Sequence, residues 1–306
     1  MDIGIDIGGT HMAIGVINEK EEIIKKYEKE FTFEEKSDII NTIEKYIEET
    51  IKAIKDEFIN DASGNGERIG KIGIAVPGST KDGIIYKAVN LGIENYNIAQ
   101  SIMKKTGLPV QVINDSKSAC IAEYDNLLKD KRNKVKNMLF LAIGTGIGGG
   151  VIYNGKLLTG TNYDGYELGH IVIKENGIQC NCGKKGCFEK YGNILQYKNK
   201  IKERLNIPQE INAQPLRDIM NPRANEIEDL RQQYISDLAI GISNLVNIFE
   251  PDAIILGGGF THFAYMFMDD LKDKLINSTL LFNRRDDIDL RCAELKNDAA
   301  MIGSIL

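Results

Sequence analysis

MDIGIDIGGTHMAIGVINEKEEIIKKY, residues 1–27, and NMLFLAIGTGIGGGVIYNGKLLTG, residues 137–160, carry the same pattern. Each is a short apolar run, a glycine-rich turn and a second apolar run, then a polar turn and a third short run. The polar turns are Asn18-Glu19-Lys20 and Asn154-Gly155-Lys156. Alternating apolar runs joined by such turns predict a three-strand antiparallel meander, written twice. The likeness is one of pattern, and chance is the alternative to duplication.

Helical periodicity comes after each meander. From Ser37 onward, Ile40, Ile43, Ile47, Ile51, Ile54 and Phe58 recur at three and four residues, with Ser37 or Asp38 placed to cap. From Ala224, a second stripe runs through Ile227, Leu230, Tyr234, Leu238, Ile242, Leu245 and Phe249, and Pro251 ends it. KIGIAVPG (71–78), LPVQVIND (108–115) and AIILGGG (253–259) read as further strands. Strands and helices alternate, so the class is α/β.

A chain of 306 residues is long enough for two domains with a core each. The polar stretch KDKRNKVKN (129–137) predicts the boundary, giving an N-terminal lobe at 1–130 and a C-terminal lobe at 131–306, with the last helix able to pack back on the first lobe. Net charge is -6 with no basic patch, which argues against nucleic acid and anionic membranes as partners. The start has no basic n-region and carries Asp2 and Asp6, so it does not read as a signal peptide. No apolar run is long enough to predict a transmembrane helix. The five cysteines are an odd number, and nothing points to export, so the expected location is cytoplasmic.

DIGGT (6–10) and GTGIGG (144–149) each lie between two predicted strands, and GGG (257–259) ends a third. Glycines there let backbone amides approach an anion, with Thr10 and Thr145 adding hydroxyls. The plainer alternative for any one cluster is a tight hairpin turn. Three clusters at the ends of strands, two of them in the repeated meanders, favour phosphate binding. VINDSKSACIAE (112–123) ends a strand at Asn114-Asp115 and opens a helix. On position alone Asp115 reads as the helix N-cap, with a general base as the alternative.

His170, Cys180, Cys182 and Cys187 gather into eighteen residues a third of the histidines and most of the cysteines of the chain. Four such ligands on a loop rich in Gly and Asn match a closed tetrahedral zinc site, structural in role. A disulfide with one thiol left over, or a redox sensor, are the alternatives. Glu167 and Glu189 flank the cluster.

Taken together, DIGGT, AVPG (75–78), Asn114-Asp115, GTGIGGGVIYNGKLLTG, the Glu167-x-x-His170 pair, C-x-C-G-x-x-G-C-x-E (180–189) and PDAIILGGG resemble the ROK family of sugar kinases and sugar-responsive regulators. The resemblance covers nearly the whole chain. It implies an actin-like, hexokinase-like (ribonuclease H-like) two-lobed fold that closes over a hexose and ATP. It makes Asp115 the general base on a sugar hydroxyl, usually O6, and so reverses the reading as a cap. It implies that Gly78, Asn90, Asn114, Glu167, His170 and Glu189 bind the sugar beside Asp115. His170 would serve zinc and substrate through its two ring nitrogens. Gly8, Gly9, Thr10, Gly144, Thr145, Gly146 and Gly148 would hold the phosphates, Gly257 and Gly258 the adenosine, and Asp6 would organise Mg2+ through water. A homodimer is implied as well.

The chain departs from the family pattern in three places. His11 comes after DIGGT where Lys or Asn is frequent, Lys117 interrupts a run of small residues, and Asn193 replaces a serine. The leading expectation is an ATP-dependent hexokinase, most simply a glucokinase, with N-acetylmannosamine, fructose, mannose or a β-glucoside as other substrates. A sugar-sensing repressor would carry a winged helix-turn-helix ahead of DIGGT, which here begins at residue 6. An actin-like ATPase without a sugar site is the third reading, opposed by Glu167, His170 and Glu189.

Overall fold

In the first meander, β1 (Asp2–Ile7) pairs antiparallel with β2 (His11–Ile17), and β2 with β3 (Ile23–Glu30). The computed structural model describes residues 1–32, 35–59, 68–161, 165–280 and 288–306. Its chain divides into two compact units: 1–126 with 159–165 and 297–306, and 127–158 with 166–296.

In the first unit β1 also pairs in parallel with β4 (Ile72–Val76). Alternation along β1 and β4 sends Ile3, Ile5, Ile7, Ile72, Ile74 and Val76 to one face, where all are buried. Their cover is α1 (Ile39–Phe58), whose Ile43, Ile47, Ile51 and Ile54 are buried in the same core. The N-cap position is Asp38, but its carboxylate holds the Asn41 side chain instead of a backbone amide. The side chain of Ser37, the other expected cap, lies outside the described residues.

A small antiparallel sheet of β5 (Ser79–Lys81), β6 (Ile84–Ala88) and β7 (Ile93–Tyr96) comes after β4. It turns at Asp82-Gly83 with φ of 50° and 82°, the left-handed pair that a two-residue hairpin needs. Then come α2 (Ile98–Thr106), β8 (Val110–Asn114), which pairs in parallel with β4, and α3 (Asp115–Lys129). The large sheet is ordered β3-β2-β1-β4-β8.

The opposite face of that sheet is built from small residues. Gly4 pairs with Gly15 on one side and Gly73 on the other, and Asp6 with Ala13 and Ala75. The C-terminal helix (Ala299–Gly303) lies on this glycine floor. A Cβ on Gly4 would strike the Met301 carbonyl, and one on Gly73 the Ser304 carbonyl. Ser118 of α3 donates to the Ala300 carbonyl at 2.6 Å, so the last turn is also fastened to α3.

The second unit repeats the plan. β9 (Met138–Ile143), β10 (Ile147–Tyr153) and β11 (Lys156–Leu157) form the meander, and β12 (Ala253–Gly257) and β13 (Leu290–Cys292) add in parallel. The order is β11-β10-β9-β12-β13, strand for strand that of the first unit. Its helices are α4 (Glu189–Gly192), α5 (Ile194–Arg204), α6 (Ala213–Met220), α7 (Glu228–Phe249) and α8 (Met268–Ser278). The second stripe starts later than its periodicity predicts. Residues Asn221–Glu226 form a 3-10 turn with Pro222 at its start, and Arg223 leaves helical geometry at φ -111°, ψ 19°. The α-helix then begins at Glu228 and ends where Glu250 turns left-handed (φ 43°) before Pro251. Among the described residues no helix is long and apolar enough to cross a membrane.

Gly73→Ala should lower the unfolding free energy by about 1–3 kcal/mol, since the added methyl runs first into the Ser304 backbone carbonyl, which cannot turn aside as a flexible side chain would. Urea denaturation checks it, and an unchanged midpoint would mean that the C-terminal helix does not need the glycine floor.

Candidate functional site

In the first unit the end of β8 delivers Asn114 and Asp115 side by side. Asn114 takes the capping role: its Oδ1 accepts from the Lys117 amide at 3.0 Å. Asp115, the first residue of α3, accepts from the Ser116 amide at 2.6 Å and the Ser116 hydroxyl at 3.2 Å. The reading of Asp115 as the cap is therefore corrected, because the residue before it already occupies that position. Asn114 also donates through Nδ2 to the Gly78 carbonyl at 3.1 Å. Gly78 has φ of 95°, and the Lys87 carbonyl leaves no room for a Cβ there.

Burial raises the Asp115 carboxyl above the ordinary carboxylate range, opposed by the Ser116 hydrogen bonds. Asp6 is raised from 3.8 to about 7, first by burial and then by the charge of Asp115, with Lys26 acting the other way. Two half-buried carboxyls, one raised further by the charge of the other, are poised to hold a proton or to face a cation.

The first glycine turn lies beside Asp6. The Gly8 amide is spent within the hairpin, donating to the His11 carbonyl at 2.8 Å. The amides of Gly9 and Thr10 have no acceptor among the described residues. Asn90 packs over this turn, with its Cβ 3.5 Å from where a Gly9 Cβ would lie.

The second unit has its own version. Gly144 donates to the Gly146 carbonyl at 2.9 Å, and the amides of Thr145 and Gly146 lack an acceptor among the described residues. A Cβ on Gly146 would sit 2.7 Å from Oε2 of Glu189, so only glycine lets that carboxylate lie against the turn. Gly148 is the next glycine, inside β10 and opposite Ala142. At the end of β12, Gly257 comes first, and Gly258 has φ of 71° against the backbone of Ile143.

The cluster loop reaches the same turn. Glu167 is exposed and precedes a 3-10 turn, Leu168–His170. The ligand atoms of His170, Cys180, Cys182 and Cys187 all lie within 4.8 Å of one another. Cys180 Sγ is 3.6 Å from His170 Nδ1, and Cys182 Sγ is 3.5 Å from Cys187 Sγ. The three thiols are free. Tetrahedral zinc, with bonds of about 2.3 Å to sulfur and about 2.0 Å to nitrogen, needs separations of about 3.6–3.8 Å, so the donor set fits it. Burial pushes the Cys180 thiol up to about 12 and raises Cys187, whereas the Lys184 amide lowers Cys182. Glu189, first residue of α4, accepts from Cys180 Sγ at 3.1 Å through Oε1. One carboxylate thus touches both the cluster and the second glycine turn. Asn193 caps α5 by accepting from the Gln196 amide at 2.8 Å.

The sequence pattern of the ROK family matches residues 2–306. The chain belongs to the ROK family. A glucokinase of Halalkalibacterium halodurans is 29% identical over 98% of this chain and 92% of its own. The xylose repressor of Caldicellulosiruptor bescii, 27% identical over 99% of this chain and 76% of its own, is a relative of the other kind. The solved ROK hexokinase of Thermus thermophilus superposes with a TM-score of 0.72 at 26% identity, covering 99% of this chain and 95% of that one. The fold is that of the ROK family, actin-like and hexokinase-like, with the β-meander core duplicated as its sequence pattern implied.

Asp6 offers a test of this electrostatic arrangement. With its folded value raised from 3.8 to about 7, the folded state holds more protons than the unfolded state in between, so stability falls as pH rises through that window. Asp6→Asn removes the loss. In the absence of Mg2+ and nucleotide it should stabilise by up to about 4 kcal/mol at pH about 8 and by almost nothing near pH 4. Equal shifts of the urea midpoint at both pH values would contradict it.

Proposed function

We propose that this ROK-family protein is an ATP-dependent sugar kinase, transferring the γ-phosphoryl group of ATP to a hexose hydroxyl, most simply O6 of glucose. The observation that carries the reading is Asp115. It stands at the end of a strand, released from capping by Asn114, and its carboxyl is raised by burial. A carboxylate so placed takes the proton of the attacking hydroxyl while that oxygen bonds to phosphorus. The bond from the γ-phosphorus to the bridging oxygen breaks, and its electron pair leaves with ADP. A raised value makes Asp115 a better proton acceptor than a solvated aspartate.

The remaining groups take roles around that step. The amides at Gly9, Thr10, Thr145 and Gly146 suit phosphate oxygens, with Gly8, Gly144 and Gly148 shaping the two turns. Gly257 and Gly258 suit the adenosine. Asp6 would help to hold Mg2+, and a bound dication would supply positive charge that favours the ionised form of both raised carboxyls. Gly78, Asn90, Asn114, Glu167, His170 and Glu189 grip the sugar. His170 turns Nδ1 to the thiols, which leaves Nε2 for a hydroxyl. Zinc bound by His170, Cys180, Cys182 and Cys187 would supply rigidity to the loop that carries His170 and Glu189. The lobe division at 1–130 and 131–306, with the last helix packed back on the first lobe, belongs to the same proposal. The xylose repressor among the relatives favours a second reading, a sugar-binding regulator without turnover.

Consumption of ATP with Mg2+ across glucose, mannose, fructose, N-acetylmannosamine, N-acetylglucosamine and cellobiose separates the two readings. Asp115→Asn should lower kcat by about 100-fold to 10,000-fold with sugar affinity nearly unchanged. The acid limb of wild-type kcat/KM should lie above the ordinary carboxylate range, as the raised Asp115 requires. Near-normal turnover in the variant would remove Asp115 from the role. Cys182→Ser should abolish bound zinc by elemental analysis and weaken sugar binding, and unchanged sugar affinity in a zinc-free variant would sever that link.

A further inference from the structure

Lys117 stands two residues beyond Asp115 in the first turn of α3 and is only 7% exposed. A buried ammonium needs a partner, because its desolvation is otherwise uncompensated. Lys117 donates through Nζ to the Gly165 carbonyl at 3.1 Å. A second lysine, Lys81, donates through Nζ to the Thr161 carbonyl at 3.0 Å. Thr161 and Gly165 both belong to the first unit.

The residues immediately after Gly165 have little slack. Tyr166 is held at φ 61°, a left-handed conformation that a bulky aromatic residue rarely adopts. Its ring packs near Phe249, with centroids 6.5 Å apart, and its carbonyl accepts from the Leu168 amide at 3.1 Å. Gly169 presses on the Ile147 carbonyl so closely that a Cβ would not fit. Glu167 thus emerges between a strained residue and a tightly packed turn. Gly165 stands only two residues before Glu167, so a displacement of its peptide is carried along this short, constrained stretch toward the Glu167 backbone.

We propose that Lys117 is a positioning residue for sugar recognition, holding the Gly165 carbonyl and thereby aiming Glu167. The inference rests on the proposed kinase function, in which Glu167 binds the sugar. It also gives a purpose to the lysine that interrupts the small residues expected after Asn114-Asp115. A small side chain there could not reach Gly165, and the strained joint at Tyr166 would lose this anchor on its N-terminal side.

The test uses the full chain with Lys117→Met, Glu167→Gln and the double variant, read by steady-state kinetics and by calorimetric titration with glucose or whichever panel hexose turns over fastest. Lys117→Met should raise the sugar KM and Kd about tenfold, the loss of one charge-assisted hydrogen bond, with kcat within about twofold and the KM for ATP unchanged. In the Glu167→Gln background the same change should add almost nothing, because both act on one contact. If Lys117→Met does not fold, Lys117→Gln, whose amide is too short to reach Gly165, is read in its place. A folded variant with wild-type sugar KM, or a full additive effect in the double variant, would overturn the inference while leaving the kinase reading intact. A wild-type chain that neither binds nor phosphorylates any hexose would overturn the functional reading and this inference with it.

Discussion

An antiparallel hairpin that turns in a few glycine-rich residues cannot pair all of its own amides. That constraint governs the candidate site. At the tip of β1–β2 the Gly8 amide closes the hairpin, and those of Gly9 and Thr10 are left without an acceptor among the described residues. At the tip of β9–β10 the Gly144 amide does the same, leaving Thr145 and Gly146. Backbone donors left over in this way are fixed in direction by the strands behind them and invite an anion. The duplicated sheet order is what produces the arrangement twice, and the rest of each unit supports it.

Small side chains make room for large functional ones. Asp6 has Ala13 and Ala75 as its cross-strand neighbours, and one step along the same face Gly4, Gly15 and Gly73 admit the C-terminal helix against the sheet. The face that carries the carboxylate is therefore covered by backbone at one end and left with short side chains at the other. Gly146 does the equivalent in the second unit, where the Glu189 carboxylate occupies the space of its absent Cβ. Glu189 in turn accepts from Cys180, so a single side chain lies against both the cysteine cluster and the second turn.

Much of this was legible in the amino-acid sequence. The two meanders, the strands at 71–78, 108–115 and 253–259, and the main stripe of α1 arise from periodicity and turn residues, which are local properties. The Asp82-Gly83 hairpin went unread: the dipeptide is a hairpin signal, but the strand before it, Ser79–Lys81, has no apolar run to mark it. Nor was the start of α7 legible, because the stripe reads from Ala224 whereas the backbone over Asn221–Glu226 tightens into a 3-10 turn and the α-helix begins only at Glu228. The cysteine–histidine cluster was visible from spacing, and the free thiols with their separations disfavour the disulfide that spacing alone left open.

The set of chemical groups and the local elements that carry them were determined by the sequence itself: glycine turns, a carboxylate at the end of a strand, four soft ligands on one loop. Only the tertiary structure decided which groups face one another. Asp6 is raised first by burial and then by Asp115, whose charge reaches it because the chain returns with β8 two parallel strands away from β1. The capping role passes from Asp115 to Asn114 because the Asn114 side chain, also bonded to Gly78, reaches the Lys117 amide. Lys117 finds Gly165 across nearly fifty residues of chain. Local propensity acts over a few residues, whereas electrostatic coupling and burial depend on distances in space, and those exist only once the sheets have formed.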